Sequence, residues 1–243
     1  MKDLFYNKEI EFFITKLKND EHFKYSRFND GELIAVSQSS PVGNNCDGHS
    51  YFPEMGKRLL SVLLNYKPSN HYFIESWKYW YDELPHIKRT VDAIHRDNPE
   101  LMCLPDDFIR RSHENDPIKF IELLETLKNK KLVIVGPDYL SNLSRFFDFY
   151  HIIVPTRNCY LETDRIISDI KKINVDGGTI FLFSASMATN IIIDEFAHDE
   201  NNTYLDWGSV WDTFFVSDNF NFIRKRSTSS NPKYKSIYKE YLI

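Results

Sequence analysis

The second half of the chain carries four short apolar runs separated by helix-forming stretches, and this alternation constrains the fold more than any other feature. Residues 131–135 (KLVIV), 151–154 (HIIV), Thr179–Phe183 (TIFLF) and Thr203–Asp206 (TYLD) read as strands. A strand that is apolar without alternation is buried on both faces, so layers must cover it on both sides. Between these runs, 161–172 and 186–197 place apolar residues at three- and four-residue steps, the spacing of a helix with one buried face. Strands alternating with helices join through right-handed crossovers into a parallel sheet. The pattern predicts an α/β fold of three layers, with a mostly parallel central sheet and helices on both faces.

The first half completes the expected Rossmann-like plan less sharply. Ile10, Phe13, Ile14 and Leu17 mark a helix over 7–19, and 22–28 reads as a strand ending in Asn29-Asp30-Gly31. A helical pattern resumes over 32–38. Residues 39–50 form a loop rich in Pro, Gly and Asn. Residues 53–66 are helical, with Pro53 in the first turn, and 71–75 is a short strand. The stretch 77–116 is dense in aromatics and charges and contains a helix over 85–96. Another helix covers 117–129. We expect one domain over 1–243, with a helical, aromatic insert at 77–128 and a polar C-terminal tail at 224–243.

Composition narrows the class. Hydrophobic residues are 42% and charged residues 27%, which excludes a mostly disordered chain. The net charge of -5 argues against a broad basic surface for nucleic acid. Cys46, Cys103 and Cys159 form no CxxC pair and no even framework, as in a reducing compartment. No apolar run approaches the roughly 20 residues that span a bilayer, and the first residues lack a signal-peptide core. The expectation is a soluble, cytoplasmic protein.

Ligands of open α/β sheets bind at the C-terminal ends of the strands. That rule selects Asp30 and Glu32, the Gly136-Pro137-Asp138 turn, 155–158, Ser184-Ala185-Ser186 and 206–209. On an extended chain Asp30 and Glu32 point to the same side, and Gly31 between them lets the backbone turn and come close to a ligand. Two carboxylates can hold a hard divalent cation such as Mg²⁺ or Mn²⁺ and leave positions for phosphate oxygens. The same triplet also suits a plain turn. Ser184-Ala185-Ser186 suits either an anion site at a helix N-terminus or simple capping. Asp47 and His49 sit in a polar loop where they could touch substrate. Cys46 and His49 resemble half of a zinc site, but no second half appears. Arg27 could pair with Asp30, bind a diphosphate or form an ordinary ion pair. Asp206 and Asp212 flank a segment whose tryptophans suggest packing. The absence of GxGxxG, GxxxxGK[ST], HExxH and GxSxG removes the main support for dehydrogenases, P-loop kinases, zincin proteases and α/β-hydrolases.

These residues also carry a family resemblance. Ser26-Arg27-Phe28-Asn29-Asp30-Gly31-Glu32-Leu33 resembles the R-[FY]-x-D-G-E block of bacterial glycosyltransferases with the GT-D fold, whose DxE carboxylates are associated with a divalent metal and the sugar-nucleotide diphosphate. In order, 131–136 (KLVIVG) resembles that family's central strand. Val154-Pro155-Thr156-Arg157-Asn158-Cys159-Tyr160 is similar to its P-x-x-N-A-[FY] segment. Residues 179–194 resemble its strand, small-residue turn and helix, and Tyr204-Leu205-Asp206-Trp207-Gly208-Ser209 its x-I-D-[IW]-G-[HS] strand end. Some relatives have His where this chain has Ser209, so that residue's role does not transfer.

The resemblance covers residues 24–215. It implies transfer of a sugar from a UDP-sugar to a hydroxyl of a glycan or glycoconjugate. Asp30 and Glu32 would hold Mn²⁺ or Mg²⁺. Arg27, Gly31, Asn158, Ser184, Ala185, Ser186 and Gly208 would serve the donor. Asp47, His49, Asp206 and Asp212 remain open as the base of an inverting reaction. Two alternatives stay in view: glycosyl transfer to hydroxymethylated bases of viral DNA, motivated by Arg224-Lys225-Arg226 with Lys233, Lys235 and Lys239, and a nucleotide-binding module without catalysis. A homo-oligomer is left open.

Overall fold

The computed structural model describes residues 10–37, 43–45, 47–67, 69, 71–76, 85–97, 113, 116–173, 176–216 and 232–243. In chain order the elements are α1 (Ile10–Lys18), β1 (Lys24–Phe28), α2 (Asp30–Ser37), α3 (Pro53–Asn65), β2 (Tyr72–Ser76), α4 (Pro85–Asp97), α5 (Pro117–Lys128), β3 (Lys131–Gly136), β4 (Phe149–Ile153), α6 (Thr163–Ile173), β5 (Thr179–Phe183), α7 (Ala188–Glu195), β6 (Thr203–Asp206) and α8 (Pro232–Ile237). Short 3₁₀ stretches at Asp138–Arg145, Cys159–Glu162 and Val210–Thr213 follow β3, precede α6 and follow β6.

The strands form one sheet in the order β2-β1-β6-β5-β3-β4, and every pairing is parallel. Alternate residues of the apolar strands feed two separate cores. Val133, Val135, Phe181, Phe183 and Tyr204 pack on one face against α2, α3, α6 and α7. Leu132, Ile134, Ile180, Leu182 and Leu205 pack on the other against α1, α5 and the segments after β3 and β6. All five residues of β5 are buried, as its unbroken apolar run demands. Each such Leu, Ile or Phe contributes about 1.5–3 kcal/mol by leaving water. On the first face Tyr204 stacks between Phe181 and Phe196, with ring centroids 4.9 Å apart in both pairs. The second face holds the buried pair Trp207 and Trp211, centroids 5.1 Å apart.

The expected three-layer architecture is the observed one. Strand β4 occupies an edge and covers Phe149–Ile153 instead of 151–154, with Tyr150 and Ile153 exposed. Helix α5 joins α1 on the second face through Phe120, Leu123, Leu124 and Leu127. Residues 77–84 and 98–112 of the expected insert lie outside the described residues, as does Arg224-Lys225-Arg226. The last residues pack inward. Tyr238 and Tyr241 are buried, and Ile243 N–H donates to the Phe214 carbonyl at 2.8 Å.

Candidate active site

Strand β1 leads outward to β2, and β3 leads outward to β4 in the opposite direction. The loops after β1 and β3 therefore part and leave a crevice over the ends of β6 and β5, the place where such sheets bind ligands. A cleft of about 660 Å³ opens there. It gathers Arg27, Asp30, Gly31 and Glu32 from the β1–α2 junction. Asp47 and His49 enter from the following loop, Ser184, Ala185 and Ser186 from the end of β5, and Asp206, Gly208 and Asp212 from the end of β6. Asn158 stands behind the wall, between Arg157 and Cys159, which do line it. A hollow of about 510 Å³ beside His22, Asp176 and Asp199 includes none of these residues.

The Asp30-Gly31-Glu32 triplet is not extended. Asp30 opens α2, so the expected same-side arrangement of an extended chain does not apply, and Gly31 is a helical residue. The reason is a cap: the Asn29 N–H donates to Glu32 Oε2 at 3.1 Å, and the Leu33 N–H donates to the Asn29 carbonyl at 2.9 Å. This is the reach-back half of a capping box, with Asn29 in the cap position and Glu32 in the third helical position. Both carboxylates still face the cleft, within one helical turn.

Glu32 is surrounded by protein, although its surface opens on the cleft. Burial pushes its carboxyl up to about 8, reinforced by the charges of Asp206 and Asp30, with its backbone hydrogen bond and Arg27 acting the other way. Arg27 pairs with Asp206 and not with Asp30: Nη2 lies 2.8 Å from Oδ1, and both side chains are nearly inaccessible. Asn190 fixes the Arg27 backbone on both sides, accepting its N–H at 3.1 Å and donating to its carbonyl at 2.8 Å. The guanidinium lies directly against Gly208, where a Cβ would fall 2.1 Å from Nη2. Among the described residues this corner brings three acidic side chains, Asp30, Glu32 and Asp206, beside one guanidinium. Oxygen donors at this spacing suit a hard cation, and a bound cation would favour the ionised form of Glu32 that burial disfavours. Among the described residues no group of three or more His, Cys, Asp or Glu could hold a metal by itself. A cation held by Asp30 and Glu32 would take its remaining ligands from water or phosphate.

The other walls are equally built. The Ser184 N–H extends the β5–β3 ladder to the Val135 carbonyl at 2.7 Å, and its hydroxyl donates to the Gly208 carbonyl at 2.6 Å. Ser186 takes a left-handed conformation, φ 53°, which delays the helix, so α7 starts at Ala188 instead of 186. Met187 occupies the cap position with no side-chain cap bond, and neither serine caps α7. Tyr139 donates to Asp212 Oδ1 at 2.8 Å.

In the loop, Asn45 Oδ1 accepts the N–H groups of Asp47 at 3.0 Å and His49 at 2.9 Å. Asn158, left-handed at φ 56°, donates its N–H to His49 Nδ1 at 3.1 Å and accepts the Ser50 N–H on Oδ1 at 2.8 Å. It positions the loop. Burial holds the His49 ring below the ordinary histidine range, helped by Arg157 and opposed by Asp47. Burial pushes the Cys159 thiol up to about 12, leaving an inert thiol. Cys46 lies outside the described residues.

Four residues of the site escaped the sequence reading. Arg157 sits inside the 155–158 strand end but was not singled out there. Asn190 is a polar residue in an apolar helix, which is a signal. Tyr139 and Asn45 gave none.

No model of a known protein family matches the chain, and no curated protein does. Solved structures do. A domain of unknown function 1792 described as having "a distinct glycosyltransferase fold" superposes with a TM-score of 0.63 at 15% identity, covering 97% of this chain and 94% of the other. The chain has that fold. A second such domain, a selenomethionine-substituted structure, gives a TM-score of 0.62 at 14% identity over 97% and 94%. A third, described as a new glycosyltransferase from Streptococcus sanguinis, gives 0.61 at 16% over 97% of both chains. Identities this low speak for the fold. They agree with the α/β fold that the resemblance of the ordered motifs implied. Among the described residues no helix is long and apolar enough to cross a membrane.

Proposed function

We propose that this chain is a metal-dependent glycosyltransferase that takes its sugar from a UDP-sugar and passes it to a hydroxyl of a glycan or glycoconjugate. The observation that carries the reading is the meeting of Asp30 and Glu32 with the Ser184-Ala185-Ser186 turn and Asp206 around one strand-end cleft, in a chain with a glycosyltransferase fold.

The chemistry follows from that arrangement. As the sugar–phosphate bond breaks, positive charge grows on the sugar and negative charge on the departing diphosphate. A divalent ion, Mn²⁺ or Mg²⁺, would screen the charge on that diphosphate. Asp30 and Glu32 would hold it. Ser184 spends its N–H and hydroxyl on the Val135 and Gly208 carbonyls, so the donors the turn would offer a phosphate are the backbone N–H groups of Ala185 and Ser186 and the Ser186 hydroxyl, beside the N-terminus of α7, where the helix dipole favours an anion. Arg27, engaged with Asp206, keeps that carboxylate oriented. In an inverting reaction the proton of the acceptor hydroxyl passes to a carboxylate of the cleft, Asp47, Asp206 or Asp212.

The test is transfer from a panel of UDP-sugars to glycan acceptors with Mn²⁺ present. The wild type transfers at least one sugar, while Asp30→Ala and Glu32→Ala lose transfer and keep their circular-dichroism spectrum. Full transfer by both variants would overturn the metal assignment. UDP binding without transfer from any donor would favour a binding module.

A further inference from the structure

We propose that His49 and Arg157 form the anion half of the cleft and take the diphosphate of the nucleotide sugar, His49 acting as a fixed hydrogen-bond donor and not as the base. The proposal rests on the donor reading above and adds the groups that would grip its phosphates.

The His49 assignment is geometric. A backbone N–H can only donate, so His49 Nδ1, 3.1 Å from the Asn158 nitrogen, holds its lone pair there. The neutral ring then carries its hydrogen on Nε2. A proton from an acceptor hydroxyl has nowhere to go: Nδ1 is occupied by the Asn158 N–H, and Nε2 is already protonated. The ring lines the cleft and has one thing to offer, an N–H. Its burial and the neighbouring Arg157 both oppose a positive ring, and Asp47 alone favours one.

Arg157 lines the same cleft two residues beyond Pro155, and Asn158 ties it to the loop that carries His49. Its guanidinium lies over Gly48, whose φ is +80° and where a Cβ would stand 3.6 Å from Nε and 3.7 Å from Cζ. Arg27 is already matched by buried Asp206, whereas no ion pair ties Arg157 among the described residues. A planar, permanently charged fork beside an imidazole N–H suits phosphate oxygens, which accept several charge-assisted hydrogen bonds at once. A diphosphate seated there would lie in the same cleft as Asp30 and Glu32.

The experiment measures binding of inorganic pyrophosphate, UDP and uridine, each with Mn²⁺, to wild type, His49→Phe, His49→Gln, Arg157→Ala and Arg157→Lys by calorimetry. Wild type should bind pyrophosphate and UDP. His49→Phe and Arg157→Ala should each weaken both by about tenfold or more, as for loss of a charge-assisted or buried hydrogen bond. His49→Gln and Arg157→Lys should lose less, and uridine binding should not change. Nitrogen-15 spectra of wild-type His49 should show Nδ1 bare and Nε2 protonated at neutral pH. Undiminished pyrophosphate affinity in the variants, no pyrophosphate affinity in wild type, or a proton on Nδ1 would each overturn the proposal. If sugar transfer occurs while the variants keep UDP affinity, the subsite fails and the donor reading stands. If pyrophosphate binding depends on the pair but no UDP-sugar is used, the subsite stands and the donor reading fails.

Discussion

At the scale of single residues, Glu32 combines two opposed effects. As a cap it satisfies the Asn29 N–H, and as a buried charge it stands beside Asp206 and Asp30. Glutamine can serve the same capping position without the charge. Glu32→Gln should therefore unfold at a higher temperature than wild type, equivalent to about 0.5–2 kcal/mol, while losing any stabilisation by Mn²⁺ with UDP; parallel thermal melts test both halves. Gly208 is the opposite case. Its φ of 56° and the 2.1 Å gap to Arg27 Nη2 leave no room for a methyl. Gly208→Ala should cost about 1–3 kcal/mol in chemical denaturation, with the Arg27–Asp206 pair displaced. His49 sets a pH dependence. Its folded pKa lies below the ordinary 6.5, so below pH 6.5 the unfolded chain takes up a proton that the folded ring resists. Its contribution to stability is present above pH 6.5 and is lost as pH falls. Between pH 7.5 and 5.5 the melting temperature of wild type should drop more than that of His49→Gln.

At the scale of elements, hydrophobic period was a sufficient guide where burial is symmetric. β3 and β5 read correctly because nothing polar interrupts them, and β5 ends where expected. The edge strand β4 starts two residues before the expected 151, because His151 interrupts the apolar run after Phe149 and Tyr150 and one side of the strand meets solvent. Helix α2 starts at Asp30 and not at the expected 32, because a strand ending at Phe28 invites an extended reading of Asp30-Gly31-Glu32. The Asn29-x-x-Glu32 spacing is the capping signal that could have corrected it. Left-handed residues gave no signal: Ser186 delays α7, and Asn158 turns the chain after β4. Asn158→Gly keeps the turn but loses the bond to the Ser50 N–H, and should cost about 1 kcal/mol in denaturant melts. Asn158→Val adds a β-branched side chain in the left-handed region and should cost distinctly more.

At the scale of the whole molecule, the apolar strands set the plan. Unbroken apolar strands require cover on both faces, and two cores fed by alternate residues of the same strands provide it. That requirement pushes ligand chemistry to the strand ends, and most of the cleft's residues are legible in the sequence at those ends. It could not say that Arg27 would be spent on Asp206, nor that Arg157 would face the cavity, because both depend on which strands become neighbours. β1 and β6 are 179 residues apart at the Arg27–Asp206 contact, and no local pattern encodes that pairing. The same arrangement supports the central proposal, that the acidic corner of the cleft receives a cation together with a nucleotide diphosphate. Calorimetric titration of UDP into the protein, with Mn²⁺ and then with EDTA, for wild type and Asp30→Asn, tests it most directly. UDP should bind wild type only when Mn²⁺ is present and should bind Asp30→Asn weakly or not at all. Equal binding in EDTA, or an Asp30→Asn variant that binds UDP with Mn²⁺ as wild type does, would contradict it.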